Sequence, residues 1–173
     1  MSAIVIRELD AAEAERRVAE LGVILRDAVE GGASVNFLAG FTQAEAEAYW
    51  RGQIPGIADG SRHLLVADDG EKLVGTVVLT LAPQPNQPHR ADVGKMLVLS
   101  TLRRQGLGSK LLDAVEALAR AKGRTLLMLD TTAGSSGDLL YRCRGWVQYG
   151  IVPGHALSTA GVPTATSFYY KEI

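Results

Sequence analysis

The 173-residue sequence predicts an α/β fold with a mixed central sheet of about seven strands flanked by about four helices. Three observations carry the prediction. Strand-like and helix-like segments follow one another in the order β-α-α-β-β-β-α-β-α-β-β. A basic turn, Arg103-Arg104-Gln105-Gly106-Leu107-Gly108, joins an apolar run ending at Leu99 to a strongly helical segment. Leu126-Leu127-Met128-Leu129 is continuously apolar, as a strand covered on both faces would be.

Taken in order, Ile4 to Leu9 alternates enough for a short strand, and Asp10 can cap a helix carrying the stripe Val18, Leu21, Leu25 and Val29. Gly31-Gly32 ends that helix, and Ala33 to Phe41 reads as a loop. Thr42-Gln43-Ala44-Glu45 is a capping box that starts a second helix through Trp50, closed by Gly56 to Ser61. His63 to Asp68 and Lys72 to Ala82 are strands joined by a hairpin at Asp68-Asp69-Gly70-Glu71. Pro83 to Arg90 is an irregular loop, and Ala91 to Leu99 is the strand before the basic turn. Gly106 to Lys122 is a helix with Leu107, Leu111, Val115 and Leu118 on one face, ended by Gly123. Thr125 to Leu129 is the next strand, and Ser135 and Ser136 can cap a short helix to Arg144. Trp146 to Val152 and Ala165 to Lys171 are the last strands, with a loop from Pro153 to Pro163 between them. No linker or repeat divides the chain, so residues 1–173 are expected to form one domain.

Composition narrows the function. A formal net charge of −1 and the lack of a long basic block argue against a nucleic-acid partner. No apolar stretch reaches membrane-spanning length, and Met1 to Asp10 lacks the layout of a secretory signal, so the expectation is a cytoplasmic protein with no membrane partner. One cysteine rules out an internal disulfide and a cysteine-based metal cluster. His63, His89 and His155 lack ligand spacing with one another, and no metal is expected.

The basic turn is built for phosphate. The first turn of a helix presents unpartnered amides and a partial positive charge, and glycines allow close approach. Arg103 and Arg104 add cationic donors. Spacing selects among phosphate motifs. Leu111 stands where the dinucleotide fingerprint needs its third glycine, and Ser109 separates Gly108 from Lys110 where a P-loop needs Gly-Lys. What remains is Arg103-x-x-Gly106-x-Gly108.

That motif resembles the Q/R-x-x-G-x-G/A pyrophosphate loop of the GCN5-related N-acetyltransferases (GNAT). Leu140-Tyr141-Arg142-Cys143-Arg144-Gly145-Trp146 is similar to the family's L-Y-x-x-x-G-F segment, and the element order matches the GNAT fold. Gly31-Gly32-Ala33-Ser34-Val35, Arg90-Ala91-Asp92-Val93, Leu129-Asp130-Thr131-Thr132-Ala133-Gly134-Ser135 and Pro153-Gly154 further resemble the tabtoxin-resistance branch, whose members acetylate tabtoxinine-β-lactam. Gly134 stands where most GNAT proteins carry Asn, which removes one side-chain contact to the pantetheine arm.

The resemblance implies acetyl-CoA as the acetyl donor. Its pyrophosphate would meet Arg103, Arg104, Gln105, Gly106, Leu107, Gly108, Ser109 and Lys110, and its pantetheine the backbone of Met96, Leu97 and Val98. Gly94 would mark a bulge that opens the slot for it. The acceptor would be a small amino-acid-like amine, with a toxin- or antibiotic-resistance role. A polyamine, an aminoglycoside, a protein N-terminus, and a non-catalytic acetyl-CoA sensor are the alternatives.

Three residues stand as catalytic candidates. Asp130 ends the apolar run, where a partly desolvated carboxylate could bind the acceptor and take its proton; equally, it could cap the turn through Thr132 and Gly134. Asp92 occupies the place where many family members put a glutamate base, or it is an ordinary strand-entry residue. Tyr141 matches the family tyrosine that serves as general acid to the leaving thiolate; its alternative is a packed helix tyrosine.

Ser34 and Asn36 are possible acceptor contacts, as are Trp50, Phe37 and His155, each with a plain packing or loop alternative. Cys143 is a ping-pong nucleophile or a small core residue. The Phe168-Tyr169-Tyr170 run suits a dimer contact or a core strand, so monomer and homodimer both stand.

Overall fold

The computed structural model describes residues 3–173, which form one seven-stranded sheet in the order β1-β2-β3-β4-β5-β7-β6. The elements are β1 (Val5–Leu9), α1 (Ala11–Arg16), α2 (Val18–Glu30), α3 (Gln43–Ala58), β2 (Arg62–Asp68), β3 (Leu73–Leu81), β4 (Arg90–Val98), a 3-10 turn at Ser100–Leu102, α4 (Leu107–Ala121), β5 (Leu126–Thr132), α5 (Ser136–Cys143), β6 (Val147–Leu157) and β7 (Pro163–Glu172). The ladder is antiparallel throughout except at β4–β5.

The α/β class and the mixed sheet agree with the sequence. Five helices form rather than four, because the first divides at Arg17, whose backbone leaves the helical region. The Arg17 guanidinium pairs there with Glu20 at 2.5 Å and with Asp68 of β2 at 3.5 Å, which ties the corner to the sheet.

Local chemistry sets the helix starts. Asp10 accepts from the Glu13 amide at 2.7 Å, and Thr42 and Glu45 close the capping box, with Thr42 N–H donating to Glu45 at 2.7 Å. α3 then runs past Gly56 to Ala58, further than expected, with Pro55 inside it. The proline deletes the bond to the carbonyl of Arg51, an exposed residue, so water can satisfy that group.

Helices cover both faces of the sheet. α2 buries Leu21, Ile24, Leu25 and Ala28, and the Trp50 indole donates to the Leu21 carbonyl at 2.9 Å, pinning α3 onto α2. α4 buries Leu107, Leu111, Leu112, Val115 and Ala119 on the opposite face. Its approach requires a glycine below it: a Cβ on Gly75 would stand 3.1 Å from the Leu111 side chain and 3.0 Å from the Leu97 carbonyl. α5 lies over β5 and β7 beside α4, with Tyr141 and Tyr169 rings 6.0 Å apart.

The C-terminal strands are longer than the sequence suggests. β6 continues through Pro153-Gly154-His155 to Leu157, so the expected loop shrinks to residues 158–162. Pro153, Gly154 and His155 together oppose Ala165 in a bulge between the pairs Val152↔Thr166 and Ala156↔Thr164. An edge strand tolerates proline there because its outer N–H groups have no ladder partner.

Candidate active site

The site begins where two parallel strands separate. β4 and β5 pair at Arg90↔Leu126, Ala91↔Leu127 and Asp92↔Met128, and then part. β5 stays with β7 as far as Thr132↔Thr166. β4 stays with β3 but passes through a bulge, in which Lys95 and Met96 together oppose Val77 between the pairs Val78↔Gly94 and Thr76↔Leu97. Lys95 takes a left-handed backbone, φ 47°, and its carbonyl accepts a 2.8 Å bond from the buried Thr76 hydroxyl. The sequence placed this bulge at Gly94; it falls on the next two residues. The result is a V-shaped gap whose β4 edge carries Met96, Leu97 and Val98 with backbone unpaired toward β5. An extended chain bearing amides can bind such an edge as an added strand does.

The basic turn stands at the wide end of that gap. Arg104 (φ 63°) and Gly106 (φ 79°) both take left-handed conformations that swing the chain into α4. Gly106 is the N-cap and contributes no side-chain cap, so the amides of Leu107, Gly108 and Ser109 face outward without a capping side chain. Leu107 itself is buried, so only its amide is available to a ligand. Gln105 and Lys110 border a cavity of about 240 Å³ with Ile4, Leu102 and Leu107.

Arg103 departs from expectation. It is not a free donor: its Nε donates to the Val98 carbonyl at 3.2 Å, and its guanidinium lies 3.8 Å from Asp27 and against Gly31. Asp27 also accepts from the Ser100 amide and hydroxyl at 2.8 and 2.7 Å, so Arg103 and Asp27 together brace the turn from behind. Arg104 is exposed and makes no ion pair among the described residues.

Asp92 and Asp130 share one face of the β4–β5 pair, one register step apart, because Asp92 pairs with Met128 and Asp130 is two residues on. Burial lifts the Asp92 pKa above the usual carboxylate range; the Arg90 guanidinium at 3.3 Å opposes the rise and Asp130 adds to it. Asp130 differs from expectation in two ways. It lies inside β5, opposite Phe168, with two more ladder pairs beyond it, and it is exposed rather than desolvated. Nor does it cap the following turn. Ser135 caps α5, accepting from the Asp138 amide at 3.1 Å, and Asp138 accepts from the Gly134 amide at 2.8 Å.

Tyr141 comes from α5, on the opposite face of the sheet. It is buried, its ring 5.8 Å from that of Trp146. Burial, with a smaller contribution from the Asp130 charge, pushes its pKa well above that of an ordinary phenol. Such a hydroxyl stays protonated at neutral pH, so it presents an O–H donor rather than a phenolate. The gap is therefore flanked by two carboxylates on one face and a protonated phenol on the other.

The remaining candidates divide. Trp50 is core, and Cys143 is exposed on α5 rather than part of the core. Ser34 is engaged: its hydroxyl donates to the Leu157 carbonyl at 3.4 Å. With Ala39 N–H donating to the Thr159 carbonyl at 2.8 Å, this ties the α2–α3 loop to the β6–β7 loop. Asn36 is exposed with a left-handed backbone, φ 76°. Phe37 stacks on Phe41 at 4.1 Å and meets Tyr49 edge-on at 5.4 Å. His155 is exposed, edge-on to Phe168 at 5.1 Å, and Phe168 is opposite Asp130. Sequence reading missed Tyr49, Lys95, Arg62 and Thr76. The signal available was a lysine beside Gly94 inside an otherwise apolar strand.

Among the described residues no group of three or more His, Cys, Asp or Glu could hold a metal ion, and no helix is long and apolar enough to cross a membrane.

A splayed parallel pair lies beside an uncapped helix N-terminus, and comparison with known proteins gives the family. The model of the acetyltransferase (GNAT) family matches residues 32–145, and the chain belongs to that family. Among solved structures, a ribosomal-protein-alanine N-acetyltransferase from Brucella melitensis is 24% identical with a TM-score of 0.76, over 98% of this chain and 99% of that one. A candidate acetyltransferase from Salmonella typhimurium, solved with its cofactor acetyl-CoA, is 17% identical with a TM-score of 0.76, over 99% and 94% of the two chains. A candidate phosphinothricin N-acetyltransferase is 21% identical with a TM-score of 0.76, over 98% of each chain. These likenesses show the shared fold.

Proposed function

We propose that the chain is a single-domain N-acetyltransferase that moves the acetyl group of acetyl-CoA to the amine of a small amino-acid-like acceptor by direct transfer. The observation that carries this reading is the gap itself, with Asp92 on one side, Tyr141 on the other and the uncapped start of α4 at its mouth.

The amides of Leu107, Gly108 and Ser109, with Arg104, Gln105 and Lys110 around them, would hold the pyrophosphate. The β4 edge at Met96, Leu97 and Val98 would hold the pantetheine and aim the thioester, which supplies the acetyl group, into the gap. Asp92 takes the proton of the acceptor ammonium, directly or through a water, and Asp130 holds the amine in place. The free amine attacks the acetyl carbonyl, the C–N bond forms as the C–S bond breaks, and Tyr141 protonates the departing thiolate; the acylated nitrogen sheds its extra proton to solvent, from which the Tyr141 phenolate is reprotonated.

The link between the α2–α3 and β6–β7 loops supports a small acceptor over a peptide, since it ties together two loops that a long open groove would leave apart. Tabtoxinine-β-lactam is the first acceptor to assay, and its turnover would support a role in toxin resistance. Free thiol is measured as it leaves acetyl-CoA. Saturable release supports transfer to this acceptor class. Acetyl-CoA binding without release across a broad amine panel would overturn transfer and leave a coenzyme sensor.

A further inference from the structure

Beside the gap lie two cations that form no salt bridge among the described residues. Lys95 is half-buried at the β4 bulge, where the Thr76 bond fixes its left-handed backbone. A non-glycine residue costs energy in that region, and such strain gathers at functional sites. The Lys95 ammonium sits 5.2 Å from the centroid of the Tyr49 ring and forms no ion pair among the described residues. Arg62, half-buried at the start of β2, likewise forms no ion pair within 4 Å among the described residues, with Asp59 of the preceding turn in electrostatic reach. A Cβ on Gly56 would stand 2.9 Å from the Arg62 Cδ, so the arginine stem is laid against α3 and its direction is set.

These cations share a face with the carboxylates. The cross-strand row Arg62↔Thr80, Thr80↔Asp92 and Asp92↔Met128 runs straight across the sheet to the edge of the gap. Asp130, on the same face, also forms no ion pair among the described residues. Burial pulls the Lys95 pKa below that of an ordinary lysine, Asp130 draws it back up and Arg62 lowers it further, which puts the three charges within electrostatic reach of one another. One face thus presents unpaired positive charge on the α3 side and negative charge at the gap. Half-buried charge without a partner is unfavourable unless something completes it.

We infer that Lys95, supported by Arg62, receives the carboxylate of the acceptor while Asp92 and Asp130 take its ammonium, so the acceptor is a zwitterionic α-amino acid or close analogue rather than a plain amine. This rests on the transfer reading above and narrows its substrate class. Lys95 is then a specificity-determining residue, Tyr49 a wall that keeps its ammonium from folding away, and Thr76 a positioning residue for the bulge.

The test uses thiol release from acetyl-CoA with each α-amino acid paired against its own α-carboxamide, and with spermidine as an amine lacking a carboxylate. The wild-type protein should prefer acid to carboxamide by about tenfold or more in kcat/KM, the scale of one charge-assisted hydrogen bond. K95M should collapse that ratio to about unity, K95R should restore most of it, and R62Q, away from the strained bulge, should shift it in the same direction. Equal use of acids and carboxamides by the wild type, or a ratio that survives K95M, overturns the inference. Turnover confined to spermidine overturns it as well, yet leaves acetyl transfer standing. Bound acetyl-CoA with no turnover of any amine overturns both.

Discussion

Asp92 and Asp130 stand on one face of the parallel pair β4–β5, one register step apart, and the strands stop pairing between them. The first is half-buried, whereas Asp130 is exposed. The division of labour follows from that difference. A carboxyl whose pKa is raised by burial is a better proton acceptor than an exposed one.

Asp92→Asn should lower kcat/KM by about a hundredfold or more, within the usual range for a general base. The pH profile supplies the sharper check. Asp92 works as a base only when ionised, so wild-type kcat/KM should rise with pH through a pKa above the ordinary carboxylate range. That limb should vanish in D92N and persist, displaced to lower pH, in Asp130→Asn, because removing the Asp130 charge removes one of the causes of the upward shift. An unchanged limb in D92N would take the base role from Asp92.

Tyr141→Phe separates chemistry from packing. Its ring is buried against Trp146 and Tyr169, and phenylalanine preserves those contacts. The melting temperature should change by no more than about 2 °C, whereas kcat should fall about a hundredfold with acetyl-CoA affinity by calorimetry little altered. A large drop in melting temperature at full activity would return Tyr141 to a purely structural role.

Legibility in the sequence tracked how local each cause is. Asp10, the Thr42–Glu45 box, Ser135 and Gly123 were readable because a cap is decided within four residues. The phosphate turn was readable for the same reason. Asp130-Thr131-Thr132 looked like a turn because three polar residues follow an apolar run, but β7 supplies Phe168, Ser167 and Thr166 as ladder partners and draws β5 onward. The bracing contacts of Arg103 were not legible because its partners, Asp27 and the Val98 carbonyl, come from another helix and from the strand behind. Gly94 hinted at the bulge, but its placement on Lys95 and Met96 was not legible, since a bulge is a property of two strands, not of one.

Gly106→Ala tests the phosphate turn. Gly106 holds φ 79° at the N-cap, a conformation that costs a residue with a Cβ about 1 kcal/mol. Nothing crowds the added methyl, so the protein should fold, with its melting temperature lowered by about 3 °C. The reorganised amides of Leu107 and Gly108 should raise the KM for acetyl-CoA several-fold while kcat changes little, since the pyrophosphate is held alike in ground and transition states. A fall in kcat at constant acetyl-CoA KM would place the turn's role in the chemistry instead.

Asp138 governs stability rather than catalysis. Burial works against its ionisation, but the Tyr169 hydroxyl, the Gly134 amide and Arg142 favour the charged form and hold its pKa below the ordinary carboxylate value. The sign is therefore that of a depressed acid. Its contribution is complete above the unfolded-state pKa and is lost as pH falls through the lower folded-state value. Wild-type stability in urea should accordingly drop between about pH 5 and pH 2, the window of a depressed carboxylate. Asp138→Asn removes an acceptor from a buried network and should cost about 2 kcal/mol at pH 7. In the variant the acid-side loss should shrink, and the two stability curves should converge toward low pH. Parallel curves across that range would show that another carboxylate carries the acid sensitivity.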